Sequence, residues 1–299
     1  MEPSNLLLAY TFDNQVAHGA IVQIRLGVSD FLAHRPYSAD LTRLLGEAMA
    51  AMPLMATHLS FEGRINLQFQ ADAGQVDGMK LLVAQIDHHL NVRAMAKAPP
   101  ELAGSFRHLL SGGLLALTLE PNNDAVPASQ AVVAVRGESL AEALEGYFEQ
   151  SEQLPTLIRL AVRGEHLAAF MLQRLPLQSA RGGLEDWEHL HTLAATLQHD
   201  ELLDTEPQTV LHRLFHQEDI RTFEPRPIQV ACRCSRAGIS RMLLSLGLEE
   251  VDSILDEQQR VSVTCEFCGR EHIFTRHEAH ELFRAAAENL PPDEGVPRH

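Results

Sequence analysis

Cysteine is missing from the first 231 residues of this 299-residue chain, and all four cysteines fall between positions 232 and 268. No stretch approaches the roughly 18–20 apolar residues that a membrane-spanning helix needs, so no membrane partner is expected. The opening, MEPSNLLLAYTFDNQ, lacks a basic segment ahead of a long apolar core and does not read as a secretory signal. Positive charge is in deficit. A formal net charge of −16 argues against nucleic acid as the main partner, because phosphate binding needs a basic face. Catalytic signatures are absent too. There is no G-x-S-x-G, P-loop or G-x-G-x-x-G, and Ser111-Gly112-Gly113 reads as a loop rather than a nucleophile elbow, so no enzyme is expected.

An apolar fraction of 45% is ample for a packed core, and the length allows one large domain or a main domain plus a small one. The informative residues are the cysteines. Cys232 and Cys234 form a C-x-C pair; Cys265 and Cys268 form a C-x-x-C pair followed by Gly269. Two close pairs around a foldable spacer are the arrangement of a four-thiolate zinc site, with Zn–S distances of about 2.3 Å. Gly269 suits a tight turn beside the sulfurs. Clustered cysteines without a secretory signal point to a reducing cytoplasm, where they rest on metal rather than in disulfides. Two roles stay open on spacing alone. Zinc can be a structural staple, or it can hold reactive thiolates poised for oxidation. His277-x-x-His280 lies too close to Cys268 for a Cys₂His₂ finger and reads as surface histidine. A deaminase reading fails because no H-x-E accompanies the cysteines, and four thiolates leave no open position for water.

Periodicity divides the chain in three: 1–179, 180–231 and 232–299. In the first part, strands are expected at Ala20–Leu26, Ile65–Gln70, Met79–Ile86, Leu90–Ala96, Leu114–Leu119, Ala131–Val135, Thr156–Val162 and His166–Arg174. A turn-rich segment spans Gln70–Gly78. A helix from about Ser38 carries Leu41, Leu44, Leu45, Ala48, Met52 and Met55 on one stripe, with Pro53 expected to kink or interrupt it. A second helix is expected at Ser139–Gln150. Strands outnumber helices without alternating strictly with them, so the class is α+β.

Residues 180–231 hold ten acidic residues, four arginines and no lysine. After a flexible joint at Arg181-Gly182-Gly183, one amphipathic helix presents Trp187, Leu190, Leu193, Ala194 and Leu197, and ends in the acidic stretch Asp200–Glu206. A second opens on a capping box, Thr205-x-x-Gln208, and presents Val210, Leu211, Leu214 and Phe215. These helices read either as a hairpin packed permanently on the main domain or as a metastable linker, since short helices depend on tertiary packing. In the last part, a helix ending at Gly247, another at Glu249–Asp256, two strands flanking the C-x-x-C pair and a terminal helix at His277–Leu290 make a module small enough to need its metal. A tail follows from Pro291-Pro292.

Several stretches together resemble the heat-shock protein 33 family, also called the 33-kDa chaperonin. They are Cys232-x-Cys234, Glu249-Glu-Val-Asp-Ser-Ile-Leu255, Cys265-Glu-Phe-Cys268-Gly269 with Phe274, Tyr147-Phe-Glu-Gln-Ser-Glu-Gln-Leu-Pro155, Glu201-Leu-Leu and Leu211–Phe215. The likeness runs nearly end to end. It implies a client-binding α+β domain, a metastable linker and a zinc-thiolate redox domain. It implies further that oxidation joins Cys232 to Cys234 and Cys265 to Cys268, releases one Zn²⁺ and unfolds the linker. The chain would then hold unfolding client proteins without ATP, dimerise, and later pass clients to ATP-driven foldases. Two positions depart from the family pattern: Ser129-Gln130-Ala131 replaces an aromatic-x-Gly, and His272-Ile273 stands where an aromatic often follows the last knuckle. The rival readings are a constitutive zinc-ribbon adaptor and a thiol oxidoreductase, which lack respectively a basic patch and a thioredoxin-like βαβ setting.

Overall fold

The computed structural model describes residues 5–57, 62–71, 78–110, 112–123, 125–176 and 183–288. The chain opens on a strand that the sequence reading does not assign. β1 (Leu6–Phe12) runs antiparallel to β2 (Ala17–Ile24), with Leu8 opposite Ile21 and Tyr10 opposite Gly19. A short α1 (Val28–Leu32) leads to α2 (Ala39–Ala56), capped by the Ser38 hydroxyl, which accepts from the Leu41 amide. β3 (Gly63–Gln70), β4 (Leu81–Asp87) and β5 (Asn91–Lys97) form an antiparallel meander. After α3 (Phe106–Leu110), β6 (Leu114–Pro121) pairs with β3, and β7 (Ser129–Ala134) follows it. α4 (Leu140–Tyr147) passes into one π turn at Phe148–Glu152 and then into the hairpin of β8 (Thr156–Arg163) and β9 (His166–Arg174).

Three helices come next, α5 (Leu184–Ala195), α6 (His199–Asp204) and α7 (Pro207–Phe215). Three short strands close the segment: β10 (Ile220–Thr222), β11 (Arg226–Pro227) and β12 (Gln229–Val230). Two six-stranded sheets result. One has the order β10–β1–β2–β9–β8 with β11 also on β1; the other runs β12–β5–β4–β3–β6–β7. All pairings are antiparallel except β12 with β5, so the α+β class with antiparallel-rich sheets holds.

α2 explains how both sheets share a core. It packs against β2, β8 and β9 of the first sheet and β3, β4 and β5 of the second. Leu41, Leu45, Ala48, Met49, Met52 and Met55 are all buried, which places the three methionines in the core. From Ala48 to Ala56 the helix is apolar and buried on every side, so it needs cover on every side. Pro53 does not interrupt it: the helix continues to Ala56. The hydrogen bond Pro53 forgoes lies in the last turn, where packing on both sides outweighs its loss.

Two expectations in the linker are corrected. Asp200–Glu206 is not the tail of the preceding helix, because Gln198 leaves the helical region and α6 starts afresh with Asp200 and Glu201 in its first turn, where the helix dipole favours acids. Thr205 does not cap α7. It ends α6, its N–H donating to the Glu201 carbonyl at 3.0 Å, and Glu206 takes the N-cap ahead of Pro207.

The chain divides into two compact units, 1–232 and 233–299. The second contains α8 (Arg236–Leu246), α9 (Leu248–Gln258), the hairpin β13 (Arg260–Thr264) with β14 (Glu271–Thr275), and α10 (Arg276–Glu288). Its core is small, built on Leu243, Val251, Leu255, Val261, Phe274 and Ala279. Residues 72–77 of the segment Gln70–Gly78, Ser111, the boundary at 179/180, Arg181-Gly182 and the tail from Pro291 lie outside the described residues.

Candidate functional site

Cys232 and Cys234 occupy the extended segment between β12 and α8, ended by Ser235, whose hydroxyl caps α8 by accepting from the Gly238 amide at 3.0 Å. Cys265 and Cys268 sit in the turn of the β13–β14 hairpin. That turn is closed by Cys265 N–H to the Arg270 carbonyl and Gly269 N–H to the Cys265 carbonyl, both 2.9 Å. Gly269 adopts φ +71°, a conformation that favours glycine. The four sulfurs lie within 4.8 Å of one another, with Cys234 Sγ and Cys268 Sγ 3.5 Å apart. Zn–S bonds of about 2.3 Å give a tetrahedral edge of about 3.8 Å, so the cluster has the size of a closed metal site. No disulfide joins these cysteines, and Cys268 is buried while the other three are half-buried. The group contains no histidine. His277 is exposed, and His280 pairs instead with Asp252 at 2.6 Å.

The second feature of note is an apolar face of the first sheet. Strand alternation places Leu8, Tyr10 and Phe12 of β1 on one side with Ile21 of β2 and Ala168, Phe170 and Leu172 of β9. α5 and α6 pack against β8 and β9, and α7 against β2. From these helices Trp187, Leu190, Leu202, Val210, Leu214 and Phe215 are buried in the same cluster. Phe215 meets Phe12 edge-on, ring centroids 5.1 Å apart at 88°. Tyr10 lies flat over Gly19, where a Cβ would come within 2.4 Å of its hydroxyl. That hydroxyl donates to the Met171 carbonyl at 2.9 Å, and burial pushes its pKa well above the ordinary value.

Polar groups complete the cover. Gln23 is buried in β2, and its Nε2 donates to the carbonyls of Leu202 and Thr205, each at 2.8 Å. Arg25 reaches the Leu203 carbonyl at 3.2 Å, and Arg163 of β8 is ion-paired with Asp204. The last carbonyls of α6 are thereby satisfied by the sheet beneath them. Beyond α7, the backbone ties the segment to both sheets: Phe223 N–H donates to the Ala9 carbonyl and Ala231 N–H to the Val92 carbonyl. Sequence reasoning finds the helix faces but misses Tyr10, Gln23 and Arg25. A polar Gln inside an apolar strand was the available signal.

The family model described as Hsp33 protein matches residues 5–275. The chain belongs to the Hsp33 family. Among relatives, the 33 kDa chaperonin of Shewanella loihica is 38% identical over 94% of this chain and 96% of its own length. That of Chromobacterium violaceum is 38% identical over 95% of each. In fold, the crystal structure of the 33 kDa chaperonin (heat shock protein 33 homolog) from Thermotoga maritima superposes with a TM-score of 0.76 at 21% identity, covering 96% of this chain and all of that one. Membership in the Hsp33 family makes this a chaperone-family protein, and its cysteine cluster can hold a metal ion. No described helix is long and apolar enough to cross a membrane.

Proposed function

We propose that the chain is a redox-regulated, ATP-independent holdase that binds zinc when reduced. Residues 1–179 would bind clients and form the dimer contact, 180–231 would be the metastable linker, and 232–299 the redox switch. The observation that carries this reading is the conjunction of a four-sulfur cluster with helices whose apolar faces cover a sheet. Zn²⁺, when bound to Cys232, Cys234, Cys265 and Cys268, would keep the sulfurs as thiolates and cross-link the two segments that carry them.

Oxidation by hypochlorite then closes Cys232 Sγ to Cys234 Sγ and Cys265 Sγ to Cys268 Sγ. Each pair of thiolates gives up two electrons as its S–S bond forms; one hypochlorous acid takes them and, with one proton from solvent, leaves as chloride and water. The sulfurs lose their ligand capacity, and a structural metal of this kind supplies on the order of 10 kcal/mol to a small domain. The second unit, with its small core, unfolds. β12 ends two residues before Cys232, so disorder in the second unit frees the anchored end of the linker by chain continuity. Departure of α5–α7 bares Leu8, Tyr10, Phe12 and Phe170 together with the apolar faces of the helices themselves. These surfaces hold unfolding clients in the cytoplasm until reduction, after which ATP-driven foldases receive them.

The test is light scattering of a thermally unfolding client with the zinc-loaded reduced protein and with the same preparation after brief hypochlorite treatment and desalting. Suppression only after oxidation, reversed by dithiothreitol, is the expected result. Equal activity in both states, or oxidant-dependent activity surviving Cys→Ser at all four positions, would return the zinc to a structural role in a constitutive adaptor.

A further inference from the structure

Within the second unit, one side chain joins the two cysteine-bearing segments without using sulfur. Arg236 opens α8, two residues after Cys234. Its Nη1 donates to the Ile273 carbonyl at 2.8 Å, on the strand that follows Cys268, and its Nη2 donates to Glu278 Oε1 at 2.6 Å. The guanidinium carbon stands 4.1 Å from the centre of the buried Phe274 ring. Glu278 is itself held, because its Oε2 accepts from the Thr275 amide and hydroxyl, both at 2.9 Å. One planar cation thus engages a carbonyl, a carboxylate and a ring face on the β14–α10 side.

We propose that Arg236 is a positioning residue for the metal centre: it presets the spacing between the C-x-C segment and the C-x-x-C turn, and so sets metal affinity and the rate of oxidative metal loss. The inference rests on the zinc-thiolate reading above. Thirty residues separate the two pairs in sequence. Without a tie beside the cysteines, only the small core packed on Leu243, Val261 and Phe274 and the metal itself fix the two segments against each other, and any ordering left to metal binding weakens affinity. A tie already in place removes the cost. The Arg236 side chain is 49% exposed, so Coulomb attraction to Glu278 is screened and contributes little. The effect comes from the rigid fork and the stacking, which lysine cannot reproduce with one rotating ammonium.

The experiment uses the full chain: wild type, Arg236→Met, Arg236→Lys and, as a control, Arg284→Met, which removes an exposed arginine paired with Glu281 on its own helix. Zinc affinity is measured under reductant by competition with a chromophoric chelator, at two salt concentrations, and zinc release is timed after hypochlorite. Both Arg236 variants should bind zinc about tenfold or more weakly and release it correspondingly faster, with little salt dependence, while Arg284→Met matches wild type. Affinity and release within twofold of wild type in Arg236→Met overturn the proposal, as does full rescue by Arg236→Lys, which would reduce the tie to charge. If far-UV circular dichroism shows that Arg236→Met does not fold at saturating zinc, Arg236→Lys decides by the same thresholds. A wild type that binds no zinc overturns the metal reading and this proposal with it. A wild type that binds and releases zinc alongside unaffected variants overturns this proposal alone.

Discussion

Phe215 touches both Phe12 and Tyr10 across the helix–sheet boundary. Phe215→Ala removes a buried aromatic, a change that costs about 3–5 kcal/mol in packed cores. Trp187, the one tryptophan of the chain, is buried in the same cluster and reports the event by fluorescence. The expected outcome is a lower urea midpoint for Trp187 emission, with aggregation suppressed by the reduced protein before any oxidant is added. An unchanged midpoint would show that the helices are held elsewhere. Gln23→Leu should act in the same direction but less, because two carbonyls lose a buried donor at about 1–3 kcal/mol. The same fluorescence titration checks it. Phe215 was legible from its place on a 3.6-residue stripe, and the metal-sized cysteine cluster from spacing alone. Gln23 stood out only as a polar residue in an apolar strand; its partners lie 179 and 182 residues away, and no local pattern announces them.

At the scale of elements, strands that alternate cleanly were found close to their true bounds; Ile65–Gln70 falls within β3 and shares its end. β1 escaped because LLLAYTF is apolar on both faces, as a strand covered on both sides must be, and so shows no period of two. α6 escaped because its start depends on one residue, Gln198, leaving the helical region. The pairing of β2 with β9 carries a pH dependence of its own. His18 bonds Gln173 across that pair at 3.1 Å, and burial lowers its pKa below the ordinary 6.5. The unfolded chain therefore takes up this proton before the folded one. The contribution is complete above pH 6.5 and declines as pH falls from there to the lowered native value. Urea midpoints measured between pH 8 and pH 5 should fall with acidity in wild type and less steeply in His18→Gln. Parallel curves would assign the fall to other groups.

For the whole molecule, the order of strands and helices conveyed the class, and cysteine placement the small C-terminal module. The strand order β10–β1–β2–β9–β8 was beyond them, because it joins strands more than 130 residues apart in the chain. The division at 232/233 yields a prediction about metal removal. A chelator under reducing conditions should abolish the helical signal of α8, α9 and α10, while amide exchange protection persists in β2, β3 and β9. Full retention of helix would mean that the second unit folds without metal.

α2 and the linker helices cover opposite sides of one sheet, and only the linker is joined to the cysteine segment. A sheet stripped of one cover keeps its curvature and side-chain positions from the other. Under the proposed cycle, the bared face therefore remains a mould of the helices that left it, and their return is an intramolecular step. Recovery after reduction should be first order and independent of protein concentration when no client is present, and should slow with added client. How long a client stays is then decided by competition with the chain's own segment for the apolar surfaces that the segment buries when it returns.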